Sequence, residues 1–297
     1  VKIFERYPFI MITVGILGIS LSSIFVRYSQ APSLVTAAFR LLWTVLLMTP
    51  VIFLKRETRK ELLRTGKREL ILSAASGLLL AVHFATWFES LRRTTVAAST
   101  IIVCTEVIWV ALMYRFFMNG TICKNARAAV TITLLGSVLI AVSDSAGGRN
   151  GLSGDVLALI AAIAVAGYTI LGKEVRKTTG TAVYTYIVYV FAAAALTGAA
   201  FAAKQPLWNY GSSPVYTGFL LAVVSTLLGH SIFSWCLKYF SPAFVSASKL
   251  CEPVVAGIFA AILFAEIPGG LAILGGVIVL TGVVLYTMLE MKTQKET

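Results

Sequence analysis

The chain reads as an all-α integral membrane protein whose ten transmembrane helices form two five-helix repeats of inverted topology. Three observations carry this reading: a composition too apolar for water, ten apolar runs of spanning length, and identities between the halves at one fixed offset. Of the 297 residues, 58% are hydrophobic and 13% are charged, with a mean hydropathy of +0.86; soluble domains carry about 25% charged residues. The formal net charge of +12 invites comparison with nucleic-acid binders. Those gather basic residues on one face or arm of a folded domain, whereas here they occupy short gaps between apolar runs, so no nucleic-acid partner is expected. The four cysteines, Cys104, Cys123, Cys236 and Cys251, form no CxxC and no metal-ligand spacing, so neither a disulfide nor a metal is expected.

A transmembrane helix needs roughly 20 mostly apolar residues. Runs of that kind lie at 8–28, 33–54, 70–91, 95–117, 125–143, 153–173, 182–203, 214–237, 242–264 and 270–290. The first follows Lys2 and Arg6 like a signal peptide but lacks an A-x-A-like cleavage site, so it is expected to be a retained helix. Breaks fall at turn-forming or charged stretches: Ala31-Pro32-Ser33, Lys55 to Glu69, Gly147 to Gly151, Ser212-Ser213-Pro214, Ser241-Pro242 and Pro268-Gly269-Gly270. Gly and Pro clusters of this kind end helices. No interval between runs is long enough for a soluble domain.

An even number of spans puts both termini on one face. Of the 25 Lys and Arg, five (Arg27, Arg92, Arg93, Arg149, Lys204) lie on the other face and two (Arg40, Lys249) inside spans, which leaves eighteen on the terminal face. The positive-inside rule then makes both termini cytoplasmic, in an inner or plasma membrane.

The halves, 1–146 and 147–297, align without a gap at an offset of 146 residues, with Ile24/Ile170, Leu91/Leu237, Ala97/Ala243, Glu106/Glu252, Gly136/Gly282, Val138/Val284 and Leu139/Leu285 identical. The apolar matches are cheap in such a composition; the Glu pair is not, because carboxylates are rare inside spans. With five spans per half, the second half enters the membrane from the opposite side, as in many secondary transporters.

Two five-helix halves, the segment Leu91-Arg-Arg-Thr-Thr-Val-Ala-Ala-Ser-Thr100 leading to Glu106, and its counterpart from Leu237 leading to Glu252-Pro253 resemble the EamA-type members of the drug/metabolite transporter superfamily. Glu266 also resembles that family's second-half pattern, whereas Gly120 stands at the matching position of the first half. The resemblance implies a ten-helix basket around a central cavity, and export or exchange of amino acids and related small metabolites.

A charge at membrane depth costs roughly 2.5–3.5 kcal/mol on insertion scales, which makes each one a functional-site candidate. Those inside the runs are Arg40, Glu106, Lys249 and Glu252, with the histidines His83 and His230 beside them. At 1.5 Å rise per residue, Glu106 and Glu252 lie roughly 15 Å deep, near the midplane. His83 falls at nearly the depth of Glu106 on the preceding antiparallel helix, so a His83–Glu106 hydrogen bond is feasible and would make a proton site; the alternative is a neutral histidine bonded across a helix interface. His230 lies one step off the repeat counterpart of His83 and is read as structural. Lys249 and Glu252 share a helix face, and Pro253 frees the Lys249 carbonyl to kink the span, a hinge or ligand contact; the alternative is a self-neutralised ion pair. Arg40 is either the counter-ion of Glu106 or a lone anchor for a carboxylate. If transport is proton-linked, the pair His83 and Glu106 is expected to carry the proton, and Lys249 with Glu252 to stay charged.

Arg40, Lys249, Glu106 and Glu252 sum to zero charge, which favours zwitterionic or neutral cargo. Trp87, one turn from His83, is the aromatic expected to line the site. The expected function is thus secondary transport of small zwitterionic or neutral metabolites such as amino acids, with protons as a candidate second solute. Two rivals stand beside it: a sugar-phosphate or nucleotide-sugar carrier, which wants more cations than Arg40 and Lys249, and a non-transport membrane subunit. No enzyme is expected, since neither a Gly-x-Ser-x-Gly elbow nor a His-Glu-x-x-His motif occurs, and no phosphate loop or other cofactor motif is present.

Overall fold

Apolar runs of spanning length become helices because each backbone amide must find its partner within its own segment where water is absent. The computed structural model describes residues 8–117, 124–146, 151–230, 232, 249 and 251–296. In chain order the helices are α1 (Pro8–Tyr28), α2 (Ser33–Leu54), α3 (Arg56–Arg64), α4 (Lys67–Arg93), α5 (Val96–Cys104), α6 (Glu106–Phe117), α7 (Lys124–Ala146), α8 (Gly151–Val175), α9 (Thr181–Ala202), α10 (Ser213–Leu220), a π-helix (Leu221–His230), α11 (Glu252–Phe264) and α12 (Gly270–Glu296). Four of them, Ser33–Leu54, Lys67–Arg93, Gly151–Val175 and Thr181–Ala202, are long and apolar enough to cross a membrane. Shorter apolar stretches fill the other expected runs. Large apolar side chains point outward on helix after helix, among them Leu46, Ile71, Val138, Ile262 and Val277, a surface that suits lipid and not water.

Three expected spans differ from an unbroken helix. The run 95–117 is divided at Thr105, whose hydroxyl and amide both donate to Ile102 O, at 2.7 and 3.1 Å, tightening the turn to a 3₁₀-like step. The run 214–237 starts as α10 and widens into the π-helix, where Thr226 Oγ1 donates to the carbonyl of Leu221, five residues back, at 3.1 Å. The run 242–264 is described only at Lys249 and from Cys251 onward. There α11 begins at Glu252 with Pro253 in its first turn, where a missing N–H removes no helical hydrogen bond. Lys249 is itself helical and Cys251 is a turn residue, so the helix is interrupted just before Pro253, where the kink is expected.

The gap 55–69 carries α3, a surface helix with no buried residue, which Glu61 ties to the N-cap of α9 by accepting from Gly180 N. Nearby, Glu174 pairs with Lys177 at 2.6 Å and Arg68 at 3.3 Å. The hydrogen bond from Lys177, with Arg68 beside it, holds the Glu174 carboxyl below the usual carboxylate range.

The helices pack α4 on α8 and α9, α1 on the π-helix and α11, α2 on α9 and α10, α5 on α11, and α7 on α12. Glycines set the closest approaches. A Cβ at Gly136 would lie 2.8 Å from both Gly275 O and Val279 N, and one at Gly282 would lie 2.9 Å from Thr133 N and 3.0 Å from Ala129 O. The second contact is the first with the halves exchanged: 136, 275 and 279 become 282, 129 and 133 on shifting by 146. A Cβ at Gly18 would come equally close to the π-helix, 2.8 Å from Val224 O and 3.2 Å from Gly229 Cα.

Candidate functional site

Arg40, in the middle of α2, has no exposed surface. Its Nε donates to Thr226 Oγ1 at 3.0 Å and its Nη1 to Ser22 Oγ at 3.1 Å. Its guanidinium lies over the Phe84 ring at 4.1 Å and within 5.8 Å of Phe88. Nη2 has no hydrogen-bond partner among the described residues, and no described carboxylate lies within ion-pair distance of Arg40. The π-helix contributes directly to this arrangement: Thr226 gives its hydroxyl hydrogen to Leu221 O, so its oxygen is left to accept from Arg40.

One turn along α4, the His83 ring stacks on Trp87 at 5.7 Å and leans on Phe84 at 5.0 Å. His83 Nδ1 donates to the carbonyl of Ala161 on α8 at 2.9 Å. The feasible bond to Glu106 is not the one formed, because α8 packs along α4 and presents a carbonyl at that depth. Trp87 is buried, and its Nε1 also lacks an acceptor among the described residues.

Glu106 and Glu252 occupy matching places in the two halves. Each is the first residue of a helix, α6 and α11, and each follows a turn residue of like geometry, Thr105 with φ −64° and ψ −6° and Cys251 with φ −72° and ψ −19°. The two chain breaks thus coincide at the repeat offset, although only one has a proline. Arg40 and His83 meet at the Phe84 ring, which both approach, whereas Glu106, Lys249 and Glu252 are half-buried. Arg40 as counter-ion of Glu106 in a direct pair is not what forms. His230 ends the π-helix, and its side chain lies outside the described residues, as does Gly120. Among the described residues no group of three or more His, Cys, Asp or Glu is placed to hold a metal ion.

Residues around Arg40 that sequence reasoning passed over are Ser22, Thr226, Phe84 and Phe88. Hydroxyls and rings are common in spans, and only a three-dimensional neighbour distinguishes these from the rest. At this level Arg40 is covered completely and Phe84 is only 3% exposed.

Residues 152–288 match the EamA-like transporter family. An uncharacterized transporter of Bacillus subtilis, YwfM, is 22% identical over 244 residues, covering 80% of this chain and 78% of that protein. An uncharacterized transporter of Clostridium kluyveri is also 22% identical, over 245 residues, covering 77% and 76%. A solved crystal structure superposes with a TM-score of 0.64 at 15% identity, covering 97% of this chain and 99% of the other, and so shares the fold. An EamA-like domain thus covers residues 152–288, and over most of its length the chain is similar to proteins named as transporters.

Proposed function

We propose that this multi-pass membrane protein is a secondary transporter of small metabolites that carry a carboxylate within an overall zwitterionic or neutral molecule, amino acids being the simplest. Arg40 carries the proposal. Burying an ion costs several kcal/mol even after relaxation, and two hydroxyls and an aromatic face offset only part of this. A ring contact adds about 2 kcal/mol when desolvated, while an unsatisfied buried donor subtracts roughly 1–3 kcal/mol. A cargo carboxylate supplies the missing acceptor at Nη2, and Trp87 Nε1 is a second donor in the same aromatic group. Glu106, Glu252 and Lys249 bring the interior back to charge balance, which disfavours a multiply anionic cargo. Pro253 starts the helix that carries Glu252 and acts as the rigid end about which that helix pivots.

The alternating mechanism rests on the halves 1–146 and 147–297 acting as inverted repeats, with both termini cytoplasmic. Three features support it: the exchanged glycine contacts between α7 and α12, the equivalent breaks before Glu106 and Glu252, and the pairing of α4 with α8 matched by that of the π-helix with α1. Symmetric halves that trade conformations give inward-open and outward-open states from one architecture. No ATP-binding motif is present in the sequence, so a solute gradient supplies the energy.

Counterflow in proteoliposomes against a panel of amino acids, their amides, sugar phosphates and nucleotide sugars tests the reading. Exchange of amino acids and not of sugar phosphates is the expected result; exchange of sugar phosphates alone, or of nothing, overturns it.

A further inference from the structure

α3 joins two spans by links too short to let it leave the bilayer surface. One residue, Lys55, separates it from α2, and two, Thr65 and Gly66, separate it from α4. Both spans still expose apolar side chains at these ends, Phe53 and Leu54 on α2 and Leu70 and Ile71 on α4, which marks the level of the lipid. With nine residues, α3 is a rod about 14 Å long at that level.

Two side chains decide which way the rod is turned. Thr58 Oγ1 donates to Ile52 O, in the last turn of α2, at 2.7 Å, and Glu61 accepts from Gly180 N at the N-cap of α9. Thr58, Glu61 and the neighbouring Leu62 are the half-buried residues of the helix, and they share one face at about 3.6 residues per turn. The opposite face holds Arg56, Lys60 and Leu63, with Arg59 and Arg64 on its flanks. All five are exposed, and Leu63 keeps 78% of its surface. Of the two acidic residues, Glu61 is turned to the protein and Glu57 stands at the edge. Among the described residues none of these four cations is in an ion pair.

Charge that serves only to orient the chain depends on how many Lys and Arg a loop carries, not on which side of a helix they stand. Here the charges are sorted around the helix axis, with a leucine in the middle of the cationic face. Water offers an exposed leucine nothing. At the rim of a bilayer the leucine reaches acyl chains, while the cations on their long stems stay at headgroup depth.

We propose that the outward face of α3 binds the headgroups of anionic phospholipids, with Leu63 seated among them, and so anchors the connection between α2 and α4 to the surface of the leaflet. Arg56, Arg59, Lys60 and Arg64 meet the phosphate oxygens, and Thr58 with Glu61 keeps this face turned outward. The anchor does not depend on what the protein carries, and its test needs no cargo.

A nitroxide is attached through Leu63→Cys, the apolar label standing in for the leucine, with the four native cysteines replaced by alanine. The purified protein is reconstituted into vesicles of phosphatidylcholine alone or of phosphatidylcholine with phosphatidylglycerol. Power saturation then reads how often the label meets a neutral nickel chelate in the water and oxygen in the bilayer. Phosphatidylglycerol should raise the bilayer-protected population by at least about fivefold, the gain that one Lys or Arg gives at an anionic surface. Raising the salt from about 0.1 to 1 M, which shortens the Debye length from about 10 to 3 Å, should cancel that rise. The variant Arg56→Gln, Arg59→Gln, Lys60→Gln, Arg64→Gln should cancel it too, whereas Arg56→Lys, Arg59→Lys, Arg64→Lys should keep it. A label equally exposed in both vesicles, or equally protected in both, overturns the proposal. A rise that survives high salt or the glutamine variant overturns the α3 cations as its cause.

Discussion

At the scale of single residues, a buried guanidinium with two hydroxyl partners differs from an ordinary structural arginine in having, among the described residues, neither a partner for Nη2 nor a paired carboxylate. Thr226→Val removes the acceptor for Arg40 Nε at nearly constant volume, leaving a buried charged donor unsatisfied at a cost of about 1–3 kcal/mol. Cargo affinity in a counterflow assay should fall accordingly, while Thr281→Val, at an exposed position of α12, leaves it unchanged. His83 is committed through Nδ1 to Ala161 O, so Nε2 is its remaining protonation site. A glutamine amide can still donate to that carbonyl, so His83→Gln should keep counterflow. If the histidine is the coupling group, His83→Gln loses accumulation driven by a pH gradient; accumulation at the parental level removes His83 from that role. Arg40, His83, Glu106, Lys249 and Glu252 were legible as candidates because charge and imidazole are rare in apolar runs, and Trp87 because it lies one turn from His83. Ser22 and Thr226 were not, because a hydroxyl barely alters hydropathy and its partner lies 18 and 186 residues from it in the chain.

Among the elements, the helices that coincide with their expected runs are those whose ends are set by Pro, Gly or a block of charge. The exceptions come from side chains that bond back to the backbone, Thr105 to Ile102 and Thr226 to Leu221, which hydropathy cannot register. The helix contacts fixed by glycine allow a sharp comparison. Gly136→Ala sets a methyl group 2.8 Å from two backbone atoms of α12 and should cost about 1–3 kcal/mol as overpacking. Gly198→Ala, with nothing within 4 Å inside α9, should gain about 0.5–1 kcal/mol from propensity alone. Thermal midpoints in one detergent should rank Gly198→Ala above the parent and Gly136→Ala below it. An unchanged midpoint for Gly136→Ala would mean that α7 and α12 are not packed through this crossing.

On the scale of the whole molecule, the all-helical membrane architecture was legible from hydropathy alone, since a span length is fixed by bilayer thickness. Orientation follows from loop charge and predicts that a phosphatase reporter fused at the C-terminus is inactive in the periplasm; an active fusion contradicts the topology and with it the inverted repeat. What the sequence left open is the state of the interior. Apolar runs say which residues lie at one depth, but not that α8 would take the hydrogen bond of His83 or that Phe84 would cover Arg40.

The central claim is that Arg40 is the group that binds the cargo carboxylate. Its most direct measurement compares, for one transported amino acid and its carboxamide analogue, the concentration giving half-maximal counterflow in the parent protein and in Arg40→Gln, with thermal midpoints checked for both. The parent should favour the acid by at least about tenfold, equivalent to roughly 1.4 kcal/mol, and Arg40→Gln should lose that preference while remaining folded. An acid-to-amide ratio that is the same in both proteins would contradict it.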